Sequence, residues 1–301
     1  MKRFFALLLA VILSVPALCA CKGSDSEKLK IVATIFPYYD IARSVAGDKA
    51  EVSMLVPAGS ETHEYEPTPQ DIVDINKADI FIYNGGESDE WVNGILESVD
   101  SDVKVLKMFD VADKLYEEDI DGNKGDEYDE HIWTSFSNMK LFTTAISESM
   151  QSCDPDNAET YKSSAKSYIS DLEKLDGEFR SMIKASARKT MVVADRFPLL
   201  YFVTELGLDR ISAFPGCSTE TQPSIKTVKR ITDFVKDNDI PVVFHMDNTN
   251  ENLAKSICDE TGAEVGVFYS CHNVTKKQFE DGVSYNSLME INFKSLKEAL
   301  N

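Results

Sequence analysis

One helical stripe runs from Asp154 to Ser186, with apolar residues at Ala158, Tyr161, Ala165, Tyr168, Leu172, Leu175, Phe179 and Met182, always three or four positions apart. Asp154 supplies an N-cap and Pro155 the first helical position, a favoured start. Roughly thirty residues at 1.5 Å each make a rod of about 45 Å, the length of a small domain. Gly177 inside a single broken stripe argues for a strut packed on its own chain rather than a coiled coil. Any two bodies at the ends of such a rod are joined stiffly, because a helix bends less than a pair of loops.

Short β-rich runs alternate with helical patterns on both sides of the strut. Lys30 to Ile35, Glu51 to Val56, Ile80 to Tyr83 and Val103 to Leu106 precede it, and Thr190 to Ala194, Arg210 to Ala213, Pro241 to His245 and Glu264 to Tyr269 follow. Buried strands separated by helices imply parallel sheets. The expected fold class is α/β, with two lobes, each a roughly four-stranded parallel sheet flanked by helices, joined by one long rigid helix. The boundaries read as 30–153, 154–186 and 187–301.

The first residues concern the compartment. Lys2 and Arg3, followed by the apolar run Phe4 to Val15, read as a signal peptide over residues 1–20. That run is short for a membrane span of about 20 residues. Leu18-Cys-Ala-Cys21 resembles the bacterial lipoprotein box, in which the cysteine receives lipid, so Cys21 is the expected anchor and 21–29 a lipidated tether. The mature protein is then extracytoplasmic, on the outer face of the cell membrane. Losing Lys2 and Arg3 takes the formal charge from −20 to about −22, which disfavours nucleic acid and anionic substrates and suits cations. Most of that acidity is the solvated surface of a secreted protein. Cys153, Cys217, Cys258 and Cys271 remain for pairing, with no CxxC among them.

Two of only four histidines sit beside carboxylates and turn residues, in Gly59-Ser-Glu-Thr-His63-Glu-Tyr-Glu66-Pro67 and Glu127-Tyr-Asp-Glu-His131-Ile-Trp133. Neutral imidazole is the commonest protein ligand for zinc, and nearby carboxylates raise local cation affinity. His63 lies beyond the carboxyl end of a strand, where open α/β sheets gather ligands. Thr68-Pro69-Gln-Asp71 reads as a capped helix start just after it. Trp133 either walls the site or belongs to the core. The acidic stretch Glu117 to Glu130 reads as a solvated loop.

In order along the chain, Ile31-Val-Ala-Thr-Ile-Phe-Pro, His63-Glu-Tyr-Glu-Pro-Thr-Pro-Gln-Asp71, Ala78-Asp-Ile-Phe-Ile-Tyr-Asn-Gly85, Asp129-Glu-His131-Ile-Trp133 and Tyr285-Asn-Ser-Leu-Met-Glu-Ile-Asn292 together resemble the zinc- and manganese-specific solute-binding proteins of bacterial ABC importers. The resemblance implies two α/β lobes, a rigid linking helix and one metal between the lobes. It implies His63 and His131 as ligands, with two more from the second lobe. A family histidine or glutamate after that lobe's first strand meets Asp195-Arg196 here; arginine stays protonated, so Asp195 is the candidate. The family's later aspartate meets Cys271-His272, both zinc-binding types. A Cys217–Cys271 disulfide leaving His272 as ligand is the preferred arrangement, and a Cys271 thiolate the competitor. His245 lines the cleft or simply packs, and Asp247 matches a usual family glutamate.

The expected function is capture of a divalent ion and its delivery to an ABC permease, by a monomer anchored through lipid and not by an enzyme. Two or three imidazoles with a carboxylate favour Zn²⁺ over Mn²⁺, which prefers more oxygen donors. A manganese-specific protein of the same class is one alternative, and a secreted zinc hydrolase another. The hydrolase needs an open coordination position and a general base, and the chain has no H-E-x-x-H, G-x-S-x-G or P-loop. No repeat or separate module supports an adhesin.

Overall fold

Leu29–Ala33 (β1), Ala50–Met54 (β2), Ile80–Tyr83 (β3) and Lys104–Lys107 (β4) form a parallel sheet in the order β2-β1-β3-β4. They belong to a computed structural model that describes residues 28–301 apart from 62, 64, 121–122 and 215–221. The expected signal peptide, Cys21 and Cys217 lie outside the described residues. Leu29, assigned to the tether by sequence, is buried as the first residue of β1. Thr190–Val193 (β7), Asp209–Ser212 (β8), Val242–Met246 (β9) and Glu264–Phe268 (β10) form the second sheet, β10-β9-β7-β8.

Read from their outer strands, the two sheets share one order. In each lobe the chain leaves its first strand toward one side and returns on the other. The crevice beyond the carboxyl ends of such strands is where α/β sheets bind ligands. Glu117–Ile120 (β5) and Asn123–Tyr128 (β6) form an antiparallel hairpin where a solvated loop was expected. Asp121-Gly122 between them in sequence is the dipeptide that favours two-residue hairpin turns.

The strut is a 28-residue helix, Ala158–Ala185, with Asn157 at its N-cap. Asp154 does not cap it: a 3₁₀ turn over Pro155–Asn157 intervenes, and Asp154 Oδ2 accepts from Asn157 Nδ2 at 2.8 Å and Tyr161 Oη at 2.6 Å. The expected stripe from Tyr161 to Met182 is buried. Phe179 meets the rings of Phe202 and Phe293 edge-on at 5.5 and 5.3 Å, both in the second lobe. Tyr168 Oη donates to Asp40 Oδ2 at 2.9 Å in the first lobe, and Tyr285 N donates to the same oxygen at 3.0 Å. One buried carboxylate thus joins the first helix (Phe36–Ala46), the strut and the last helix (Tyr285–Leu300). Burial pushes the Asp40 carboxyl up, against the lowering effect of Arg43. A single apolar cluster runs from Ile31 through Phe179 to Phe268, so both lobes and the strut share one core.

Candidate metal centre

His63 stands in the loop after β2, held between that strand and the helix Pro69–Asn76. A full capping box starts the helix: Thr68 Oγ1 accepts from Asp71 N at 3.3 Å, and Asp71 Oδ2 accepts from Thr68 N at 2.6 Å. Asp71 Oδ2 also takes the Tyr65 hydroxyl at 2.8 Å, which pins the loop just beyond the histidine. His63 Nδ1 lies 3.1 Å from Ser88 Oγ and 3.2 Å from Glu130 Oε1. Glu130 is itself buried, and its Oε2 accepts from Ser88 N at 2.8 Å. A Cβ on Gly86 would fall 2.3 Å from the Glu130 Cβ, so only glycine lets this carboxylate reach Ser88.

His131 is built the same way by its own neighbour. Asp129 Oδ1 accepts from His131 N at 2.9 Å and lies 3.1 Å from His131 Nδ1. A carboxylate behind one ring nitrogen fixes the tautomer and turns the other nitrogen toward a metal. Asp129 and Glu130 close the acidic stretch, and nothing in the sequence marks Ser88. Their signal was adjacency to His131 in Asp129-Glu-His131.

His272 follows β10 on a loop the first lobe grips firmly. Asn273 Nδ2 donates to Pro57 O and Ser60 O, each at 2.9 Å, and Gly59 N donates to Val274 O at 2.7 Å. Trp133 Nε1 donates to Ser270 O at 2.9 Å, and its ring lies 4.4 Å from the His272 ring. Cys271 turns the chain with φ +59°, a left-handed conformation uncommon outside glycine. The next side chain is thereby aimed at His63 and His131, with ring centroids 5.3 and 5.7 Å away.

The ligand nitrogens of His63, His131 and His272 all lie within 4.8 Å of one another. Burial, and then the other two imidazoles, hold His272 well below the ordinary histidine value. Burial lowers His63 too, with Glu130 opposing it. Imidazole nitrogens bind a metal in their unprotonated form, and a tetrahedral ion takes four donors.

Asp195 is not among the donors gathered from the described residues. Its Oδ1 accepts from Arg196 N at 2.8 Å, and its Oδ2 takes Met246 N at 3.0 Å and the Thr249 hydroxyl. The carboxylate ties the carboxyl end of β7 to that of β9. Cys271 is a buried thiol, and the expected bridge would reach Cys217, which lies outside the described residues. Burial pushes that thiol well up and keeps it protonated, a poor ligand, with its Sγ toward Tyr269 O at 3.9 Å. His245 Nδ1 sits 2.9 Å from Met246 O, outside the cleft lining. Asp247 does line the cleft: Ser270 N donates to its Oδ1 at 2.6 Å, and burial pushes its carboxyl up to about 6.

Glu130→Gln should weaken zinc binding by about ten- to a hundredfold through loss of the charge that orients His63. Competition titration against a chelator measures it, and unchanged affinity would remove Glu130 from the site.

The family model for zinc-uptake complex component A, periplasmic (ZnuA), matches residues 31–299. The zinc-binding lipoprotein AdcA of Streptococcus pneumoniae (strain ATCC BAA-255 / R6) is 30% identical over 309 residues, which cover 99% of this chain and 61% of that protein. This chain therefore spans about three fifths of that relative's length. The high-affinity zinc uptake system protein ZnuA of Bacillus subtilis (strain 168) is 27% identical over 286 residues, 92% of this chain and 89% of that protein. The crystal structure of the Zn(II)-bound ZnuA-like domain of Streptococcus pneumoniae AdcA superimposes with a TM-score of 0.76 at 31% identity, covering 91% of this chain and 99% of that one. With the match running through both lobes and the strut, the chain belongs to the family of zinc-uptake complex component A periplasmic proteins, ZnuA.

Proposed function

We propose that the protein captures Zn²⁺ outside the cytoplasmic membrane and hands it to the permease of an ABC importer. The carrying observation is the convergence of three imidazoles from three loops, His63, His131 and His272. Among the described residues the gathered donors are three nitrogens, which suit zinc better than manganese. The family is named for zinc uptake, and the pneumococcal and Bacillus relatives are named for zinc. In this reading the protein is a binding component and not an enzyme, acting as a monomer. Its lobes are residues 30–153 and 187–301, with 154–186 as the strut.

Protein purified without added metal should carry one zinc per chain by elemental analysis. Chelator competition should rank zinc above manganese. Absence of bound metal after zinc exposure, or a preference for manganese, would sink the zinc reading.

Cys21 is the proposed site of lipid attachment, on the strength of Leu18-Cys-Ala-Cys21 and a relative named as a lipoprotein. Among the described residues no helix is long and apolar enough to cross a membrane. Cys21→Ser should leave an unprocessed precursor or release the protein into the medium. An unchanged mature mass with unchanged membrane retention counts against the anchor.

A further inference from the structure

The segment that carries His131 is gripped from both lobes at successive carbonyls. Asn84 Nδ2, just past β3, donates to Glu130 O at 2.9 Å. Tyr201 Oη, from the second lobe, donates to Asp129 O at 2.9 Å. The same hydroxyl accepts from Tyr116 N at 3.1 Å, and Asp129 N donates to Tyr116 O at 2.9 Å. One buried phenol therefore closes a ring of hydrogen bonds around the two ends of the β5–β6 hairpin, directly behind His131. The Tyr116 and Tyr201 rings lie against each other, with centroids 5.0 Å apart.

Tyr201 stands in the first turn of the helix Leu200–Leu206, and the residue after it fixes that helix in place. Phe202 packs on Phe179 of the strut and on Phe268, each at 5.5 Å between ring centroids. Phe268 ends β10, the strand whose loop delivers His272. The frame that carries His272 thus also carries the Tyr201 hydroxyl, and through it the backbone of Asp129. Asp129 in turn places His131, since its Oδ1 lies 2.9 Å from His131 N and 3.1 Å from His131 Nδ1. A carboxylate orients a ligating imidazole only as well as its own backbone is held. Loss of the hydroxyl would take a partner from two buried backbone groups, Tyr116 N and Asp129 O, which costs more than the net worth of a bond.

We propose that Tyr201 is a positioning residue for metal capture, setting His131 against His272 from the second lobe by holding Asp129. It acts on the ion through Asp129 and His131. With the hydroxyl in place the metal-free site already has the spacing it needs, and little ordering remains for the ion to drive. Without it the Asp129–His131 unit must be brought into place at the moment of binding, and affinity falls by that cost. This inference rests on the zinc-capture reading.

The test measures zinc affinity of the full chain by chelator competition, beside the melting temperature of the metal-free protein. Tyr201→Phe keeps the ring and loses the hydroxyl. Its zinc affinity should fall about tenfold, the worth of one hydrogen bond whose buried partners are left unpaired. Tyr161→Phe is the control, because it removes another tyrosine hydroxyl, bonded to Asp154 Oδ2 at 2.6 Å near the start of the strut. That change should lower the melting temperature and leave zinc affinity unchanged. An equal loss of affinity in both variants would overturn the proposal, since destabilisation alone then explains it. A double variant tests the route. On an Asp129→Ala background Tyr201→Phe should cost less than about twofold, a coupling that a merely structural role would not give. Asp129→Asn takes its place if the alanine variant does not fold. An undiminished loss on that background would overturn the proposal, and so would wild-type affinity in Tyr201→Phe itself. No zinc binding by the wild-type chain would instead remove the capture reading beneath it.

Discussion

His272→Ala is expected to lower zinc affinity on the order of a thousandfold, equivalent to about 4 kcal/mol. The magnitude follows from removing one of three first donors and leaving two imidazoles to hold the ion. The metal-free protein should remain folded, because the loop keeps its ties through Asn273, Val274 and Ser270, none of which uses the imidazole. Removing the ring also relieves a buried group that burial and two neighbouring imidazoles already disfavour in its charged form. Asp195→Ala should cost less, since Asp195 acts on the cleft only through Met246 and Thr249. Titration of both variants, with circular dichroism as the folding control, ranks the two. An Asp195 loss equal to or greater than the His272 loss would reassign the third ligand.

Trp133→Ala is expected to destabilise the protein by about 3–5 kcal/mol, the usual range for truncating a buried aromatic. Trp133 is fully buried and packs against His131 at 5.2 Å and His272 at 4.4 Å between ring centroids. Its removal also strips Ser270 O of a donor, and the adjoining Trp133 O is the acceptor for Tyr285 Oη. For a chain of this size each kcal/mol moves the melting temperature by roughly 2–4 °C, so calorimetry resolves the change easily. Zinc affinity should fall as well, because the His272 loop loses its tie to the first lobe. A melting temperature within a degree or two of wild type would contradict the packing described.

Much of this was legible in sequence because it is written locally. The strut appeared as a three-four periodicity, and the eight strands of the two parallel sheets fell within two residues of their expected bounds. His63 and His131 announced themselves through the carboxylates beside them. His272 was legible only through the family resemblance, since nothing in its own neighbours marks a ligand. The partner that each remaining side chain takes was not legible. Asp195 Oδ2 is taken by Met246 N and the Thr249 hydroxyl, some fifty residues away in sequence. Cys271 is buried in the core by a left-handed turn of its backbone that only the folded chain reveals. Asp154 had the composition of a cap, yet the following proline turn displaced the helix start to Ala158.

The shared core has a bearing on how this chain can change over generations. Two halves with the same strand order suggest units free to vary separately. Phe179, however, packs on Phe202 and Phe293, while Tyr168 one face along the same helix holds Asp40. A substitution on that stripe is felt in both halves at once, and compensation in one half cannot be complete without the other. The halves therefore inherit their sequences as a pair, and a hybrid built by exchanging one half with a distant relative must carry the matching strut face with it.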